Sequence, residues 1–184
     1  MTLLAINSDK ACAADPDMLQ DICPADLTST AKVNGFPCKN TSSTDDFTSR
    51  VLLVPGVITN GFGFEATRAD VQSVPGLNTL GVSMARVDYA PGGITPPHIH
   101  PRASQMIYVL QGEVFVIPRG LVHYQKNTGR GPATIIAAFN SQSPGTQGIS
   151  TTLFRSSPPI PNEILAQTFR TNVAHIALLR AIFA

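Results

Sequence analysis

The sequence predicts an all-β domain followed by a short helical segment. The 14 Gly and 15 Pro residues make up about a sixth of the 184 residues, which indicates many turns. From Phe47 onward, short apolar runs recur between Gly, Pro and Asn residues. Many short strands at regular spacing are typical of a β-sandwich or barrel. After Pro161 the apolar residues lie three or four apart instead, which is the spacing of a helix.

Composition narrows the class of protein further. The length favours one domain with a real hydrophobic core. The net charge is +1, and this balance gives no support to a nucleic-acid partner or a polybasic membrane surface. No apolar stretch reaches the ~18 residues that a membrane span needs. Charged residues make up only 14% of the chain, so we expect part of the surface to be covered in an oligomer.

The first 13 residues are interpreted as a signal-peptide remnant or a mis-called start. The apolar run from Leu3 to Ile6 is shorter than a signal core of ~7–15 residues. The triplet from Ala11 to Ala13 nevertheless has the small-x-small form of a cleavage site. An unstructured cytosolic tail is the alternative.

Residues 14–46 are polar and are predicted to form an extension with a cysteine pair. Cys23 and Cys38 enclose a short loop, and a disulfide there would stabilise the fold by roughly 3 kcal/mol. The alternative is a pair of buried thiols. Cys12 is then the odd cysteine, in the segment interpreted as cleaved. Asn40 begins an Asn-Thr-Ser sequon, which is a glycosylation site only if the chain is secreted.

Residues 47–157 are predicted to form the β-domain. Its candidate strands are the apolar runs 51–54, 80–89, 106–110, 114–117, 134–139 and 149–154. Apolar residues alternate from Leu80 to Met84, which is the period of a strand. The alternation slips near Ala85 and Arg86, where we expect a β-bulge.

Residues 158–184 are predicted to be helical. A Pro-rich breaker ends at Asn162, which can cap a helix that starts at Glu163. Thr171 or Asn172 is expected to divide the segment into two helices. The apolar stripe of these helices packs either on the β-domain or on a neighbouring subunit, and the sequence leaves both arrangements open.

Three of the four histidines lie close together near predicted strands. His98 and His100 are two residues apart, so on a strand their imidazoles point the same way and can share a metal ion. His123 follows near the next strand. His175 lies in the predicted helical segment and is interpreted as a surface residue.

The spacing around these histidines resembles both motifs of the cupin superfamily. The first motif is carried by Gly92, His98, His100, Gln105 and Gly112. The second is carried by Gly112, Pro118, Gly120, His123 and Asn127. Residues 96–103 and 115–125 look like the two boxes of plant germin-like proteins, and further matches extend across nearly the whole chain.

The germin resemblance implies a secreted, glycosylated cell-wall protein of the apoplast, built on a jelly-roll β-barrel. It implies a Mn²⁺ ion held inside the barrel by three His and one Glu. It also implies a Cys23–Cys38 disulfide and C-terminal helices that join subunits into trimers, paired into a hexamer. Activities in the family include superoxide dismutation and, in the germins proper, oxalate oxidation.

Three departures from the family qualify this reading. Gln105 stands at the glutamate position, and its neutral amide predicts weaker Mn²⁺ binding and a relative gain for Zn²⁺, Cu²⁺ or Ni²⁺. Both motifs share Gly112, so the two strands that usually separate them are missing and the barrel is expected to have a gap. Ala85 and Thr95 stand where oxalate-degrading members have Asn, so oxalate oxidation is not expected.

The shared Gly112 leaves a structural choice open. Residues 113–117 could form the strand of the second motif, or they could replace the first missing strand. Glu113 is acidic and close in sequence, but we do not expect it to replace the lost ligand.

The predicted function is that of a germin-like wall protein with a role in defence or stress and weak superoxide dismutase activity. Two alternatives are a non-enzymatic wall or storage-type oligomer that uses the barrel surface or the wall matrix, and a non-functional product of a truncated gene.

Overall fold

The computed structural model describes residues 20–32, 35–110 and 112–183. Residues 1–13 and Cys12, interpreted above as a signal remnant, lie outside this part of the chain. The strands are β1 (Phe64–Ala69), β2 (Ser83–Tyr89), β3 (Ile94–Ile99), β4 (Gln105–Val109), β5 (Val114–Ile117), β6 (His123–Lys126), β7 (Ala133–Phe139) and β8 (Gln147–Gly148). The α-helices are α1 (Ile149–Phe154), α2 (Asn162–Thr168) and α3 (Val173–Phe183). Single 3-10 turns occupy Thr44–Phe47 and Pro75–Leu77.

The strands form two antiparallel sheets. One has five strands in the order β1-β2-β7-β4-β5, and the other has three in the order β6-β3-β8. The hydrophobic core covers the inner face of the larger sheet and consists of Ala85, Val87, Tyr89, Ala103, Ile107, Ile135, Ala137 and Phe139. This architecture confirms the expected all-β fold with C-terminal helices.

Strand β2 turns the opposite face inward from the one that its apolar alternation suggested. Ser83, Ala85 and Val87 are buried, whereas Met84 is exposed on the outer face. The register with β1 and β7 is continuous from residue 84 to residue 89, so the expected bulge is absent from β2. The sequence indicated the wrong buried face for β2 because the outer face of this sheet also carries apolar side chains.

Two segments that the sequence predicted as strands do not form strands. Residues 51–54 form a turn that Leu53 closes with a hydrogen bond to the carbonyl of Arg50, and Pro55 and Gly56 follow at once. Residues 149–154 form helix α1. Leu153 and Phe154 of this helix pack on the C-terminal helices, so tertiary contacts outweigh the local strand preference.

The junction at Gly112 is a tight hairpin. Strands β4 and β5 pair directly, from Gln105 with Ile117 to Tyr108 with Val114. Strand β5 then leads into β6, so residues 114–117 form the strand of the second motif, and the choice left open by the sequence is resolved. Within the described residues, β5 pairs only with β4 and β6 pairs only with β3.

A groove therefore opens between the free edges of β5 and β6. Its cavity measures about 460 Å³ and is walled by apolar side chains such as Ile107, Phe115 and Ile135. Phe115 faces inward yet is 49% exposed, because no strand lies over it. The barrel is thus incomplete on this side, as the missing hairpin predicted.

The N-terminal extension contains a disulfide and is attached to the rest of the fold by hydrogen bonds. Cys23 and Cys38 form a disulfide. The amide of Ala25 donates to the carbonyl of Pro75 at 2.8 Å. Asn78 is buried, donates to the carbonyl of Phe36 at 2.9 Å, and accepts a hydrogen bond from Gln142 at 3.0 Å. These bonds join the extension to the end of the larger sheet.

The C-terminal segment forms two helices, as predicted. Helix α2 begins at Asn162 itself, one residue earlier than expected. Asn172 separates the two helices, and its side-chain oxygen accepts from the amide of His175 at 2.8 Å. Leu165 and Ile176 are buried between the helices. None of the described helices is both long and apolar enough to cross a bilayer.

Candidate metal centre

Three histidines meet where β3 and β6 pair. His98 lies in β3 directly opposite His123 of β6, and their ring centroids are 4.2 Å apart. His100 follows two residues later, so its ring points to the same side of the sheet, 5.3 Å from that of His123. One nitrogen of each ring lies within 4.8 Å of a nitrogen of each of the others. This spacing is suitable for a single divalent ion.

Backbone carbonyls fix the tautomer of each ring. The Nδ1 atoms of His98 and His123 bond to the carbonyls of Pro96 and Leu121, at 2.8 and 2.9 Å. Nδ1 of His100 bonds to the carbonyl of Gly145 at 2.6 Å. A carbonyl oxygen only accepts, so each Nδ1 carries a hydrogen, and Nε2 is the nitrogen left to bind a metal ion. Nε2 of His100 and of His123 is buried without a hydrogen-bond partner.

The buried rings are neutral at physiological pH. Burial lowers the pKa of His98, and the neighbouring His123 lowers it further. Burial lowers the pKa of His100 to about 4, against the opposing effect of the Gly145 carbonyl. Both rings therefore offer a metal ion a lone pair without first losing a proton.

Gln105 faces the histidines from the other sheet. It is the first residue of β4, where it pairs with Ile117 and Phe139, and it is 5% exposed. Its Oε1 atom is buried without a hydrogen-bond partner, like the two histidine nitrogens. An unpaired buried oxygen is costly, and coordination of a cation would satisfy it.

A cavity of about 140 Å³ lies beside these side chains. Its wall includes His98, His100 and Gln105, together with Ala85 and Thr95. The Thr95 hydroxyl is already paired with the Tyr89 hydroxyl at 2.7 Å. Ala85 has no donor, so the two positions where oxalate-degrading members have Asn offer little to a bound carboxylate.

Other candidates from the sequence lie elsewhere. Glu113 is exposed and does not belong to the histidine cluster. His175 is exposed on α3, which agrees with its interpretation as a surface residue. Asn40 of the sequon is exposed.

Sequence reasoning missed the residues that support the rings. Phe139 packs edge-on against His100, with centroids 4.8 Å apart. The Gly145 carbonyl orients His100 from 45 residues away. Phe139 ends an apolar run, a signal that could have placed it in the core. A backbone carbonyl leaves no signal in a sequence.

Comparison with known proteins places the chain in a family. The cupin family, described as "Cupin", matches residues 51–114 and 111–177. Nectarin-1 of Nicotiana langsdorffii x Nicotiana sanderae is 54% identical over 204 residues, which cover 99% of this chain and 89% of that relative. Germin-like protein 1-1 of Oryza sativa subsp. japonica is 53% identical over 192 residues, with 93% and 89% covered.

The alignment with Nectarin-1 is longer than this chain, and the cupin match divides into two stretches at one place. At least 20 positions of the Nectarin-1 alignment (204 less 184) have no residue here. The two stretches of the cupin match meet at residues 111–114. That is the β4–β5 junction, where the open groove begins.

Among solved structures, an oxalate oxidase is similar over nearly its whole length. The TM-score is 0.85 and the identity 42%, with 93% of this chain and 98% of that chain covered. Sequence relatives, family match and structure agree with the two motifs and the two-sheet fold. The chain therefore belongs to the germin-like proteins of the cupin superfamily.

Proposed function

We propose that this chain is an extracellular germin-like cupin that binds one divalent metal ion. The ligands are Nε2 of His98, His100 and His123, with Oε1 of Gln105 as the fourth donor. The observation that carries the proposal is the meeting of three histidine rings whose ligand atoms lie within 4.8 Å of one another, beside a cavity whose wall also holds the unpaired Oε1 of Gln105. By resemblance to the family the ion is Mn²⁺.

An oxidising compartment agrees with two features of the extension. The Cys23–Cys38 disulfide is typical of secreted proteins. The sequon at Asn40 is exposed and accessible for glycosylation. We propose the plant apoplast as the location, with a role in defence or stress.

The proposed reaction is superoxide dismutation, for which a bound redox-active metal supplies the electron exchange. The chain's own residues hold the ion and limit access to it through the small cavity. Phe139 fixes the ring of His100 by packing against its side. Oxalate oxidation is not proposed, because Ala85 and the internally paired Thr95 offer no amide to an oxalate ion. The neutral Gln105 predicts weak dismutase activity.

The metal content of protein secreted from a plant host tests the proposal. We expect about one divalent ion per chain in the unmodified protein, by elemental analysis, because the described part of the chain holds one such ligand cluster. His123→Ala should lose the ion, whereas the control His175→Ala, at the exposed histidine of α3, should keep it. A folded, secreted protein with no bound metal would contradict the proposal.

The open groove favours a second candidate, a product that lacks part of the family barrel and has no enzymatic role. The free edges of β5 and β6 can pair with strands of other chains, which favours aggregation. This candidate predicts aggregation and no secreted protein.

A wall or storage-type protein would instead be a soluble, protease-resistant oligomer without redox-active metal. Secretion, oligomeric state and metal content together separate the three readings.

A further inference from the structure

We propose that the metal ion in this chain binds together with a small anion, which supplies the negative charge that Gln105 lacks. The inference rests on the proposed function, because it requires a metal at the three histidines. It concerns small anions, which would balance the charge of an ion held by three histidines and Gln105.

The four donors are all uncharged. Each imidazole is an uncharged ligand when its Nε2 binds the ion, because Nδ1 keeps its hydrogen in the bond to a carbonyl. Gln105 contributes an amide oxygen in place of a carboxylate. Among the residues that the structure describes, no Asp or Glu belongs to this cluster. A divalent ion held here keeps its full double charge.

Most of the site is shielded from bulk water, although His123 is partly exposed. His98, His100 and Gln105 are each only 5–6% exposed. An uncompensated charge is costly in such surroundings, and a bound metal is the largest local charge of its site. An opposite charge brought from solution next to the ion lowers this cost.

The cavity has room for such an anion. Its volume is about 140 Å³, and a cavity needs only roughly 10–15 Å³ to hold one water molecule. Arg68 and Asp70 both line the cavity, so the wall carries one charge of each sign and does not neutralise the ion. Asp70 accepts the amide of Gln72 at 3.0 Å, whereas the exposed Arg68 can attract an anion to the cavity.

Reciprocity makes the inference measurable. If metal and anion stabilise each other, the anion tightens metal binding by the same factor by which the metal tightens anion binding. The test uses the full-length apoprotein with Co²⁺ as the metal probe and azide as the anion. The dissociation constant of Co²⁺ is measured by chelator competition at constant ionic strength, with and without azide. Azide is also titrated into the Co²⁺ protein while the visible absorption bands are recorded.

In the unmodified chain we expect azide to tighten Co²⁺ binding about tenfold, within the usual range of coupling between two ligands, and to shift the absorption bands. In Gln105→Glu the side chain supplies the charge, so the effect of azide should fall below about threefold. The control Gln167→Glu makes the same chemical change at an exposed position of α2 and should behave like the unmodified chain.

Equal Co²⁺ affinity with and without azide, or an equal azide effect in Gln105→Glu, would overturn the inference while the metal site stands. Failure of Co²⁺ to bind the folded protein at all would overturn the proposed function and this inference with it.

Discussion

Gln105 stands in the proposed centre at the position where the family resemblance implies a glutamate. It occupies the start of β4, buried in the wall of the cavity that His98 and His100 also line, with its amide oxygen unpaired. An amide and a carboxylate of this length have nearly the same shape. The difference between them is one negative charge at the position where a metal ion would lie.

Gln105→Glu should strengthen Mn²⁺ binding by at least about tenfold, because Mn²⁺ is a hard ion that favours carboxylate oxygen. Zn²⁺, which imidazole suits well, should gain less, so the preference for Zn²⁺ over Mn²⁺ should narrow. Dissociation constants from competition titrations of both ions check this, with Gln167→Glu as the control. Unchanged Mn²⁺ affinity in Gln105→Glu would show that the fourth donor does not bind the ion.

At this scale the sequence predicted which side chains would meet, but not how they are oriented. The motif spacing grouped His98, His100, His123 and Gln105; in the structure the three histidine rings meet, and Gln105 lines the same cavity as His98 and His100. The carbonyls that set the tautomers, above all that of Gly145, come from backbone that no residue type reveals.

Among the elements, the β2–β3 turn depends on a close approach of two backbones. A Cβ atom on the buried Gly93 would lie 2.1 Å from the carbonyl oxygen of Gly63. Gly93 also accepts the amide of Asn127 at 2.9 Å, just beyond the strand that carries His123. The turn thus fixes where β3 begins and how it meets β6.

Gly93→Ala should therefore destabilise the fold by roughly 1–3 kcal/mol, the usual cost of overpacking. Gly131→Ala is the matched control, because a Cβ there meets nothing within 4 Å. Denaturant unfolding of the two variants and the parent gives the comparison. Equal stability of Gly93→Ala and Gly131→Ala would show that the two backbones separate easily.

The disulfide is the covalent link within the N-terminal extension. Replacing Cys23 and Cys38 with Ser should lower the free energy of unfolding by roughly 3 kcal/mol, because the crosslink closes a loop of 15 residues. In protein that retains residues 1–13, Cys12→Ser is the control, since the disulfide does not use this cysteine. Thermal unfolding under non-reducing conditions measures the effect, and a drop of similar size in Cys12→Ser would contradict the assignment.

Element types followed from the sequence where the apolar period was clear, but the inward face of a strand did not follow where both faces were apolar. The C-terminal helices were predicted because their apolar stripe has a clear period. For β2 the alternation of Leu80, Val82 and Met84 was real but belonged to the exposed side. Periodicity shows that two faces differ, and only the packing of the whole sheet decides which one is inside.

For the whole molecule, the outer face of the five-stranded sheet is the most informative surface. The register places Met106 and Tyr108 of β4 beside Val116 and Val114 of β5, and all four are substantially exposed. Met84 of β2 belongs to the same face. A contiguous apolar surface of this kind marks an interaction site, which agrees with the low charge of the chain.

Val116→Lys, at a side chain 71% exposed, should shift the protein from an oligomer toward monomers, because a charge at the centre of an apolar interface stays unpaired. Val57→Lys is the control, since Val57 is 79% exposed in the segment before β1, outside the β4–β5 pair. Light scattering coupled to gel filtration gives the mass of each variant. If Val116→Lys assembles like the parent, this face is not the interface.

The backbone carbonyls that accept hydrogen bonds from the three imidazoles affect how the site responds to mutation. Two of them lie two residues before their own histidine, and the third comes from the loop before β8. Main-chain atoms survive every ordinary codon change, so no point mutation can delete these acceptors directly. During evolution the residue at position 105 can change, and a hairpin can even be lost, while the backbone carbonyls still hold the three imidazole rings in the same orientation. Drift in this protein is therefore expected to alter which ion it holds before it abolishes the ability to hold one.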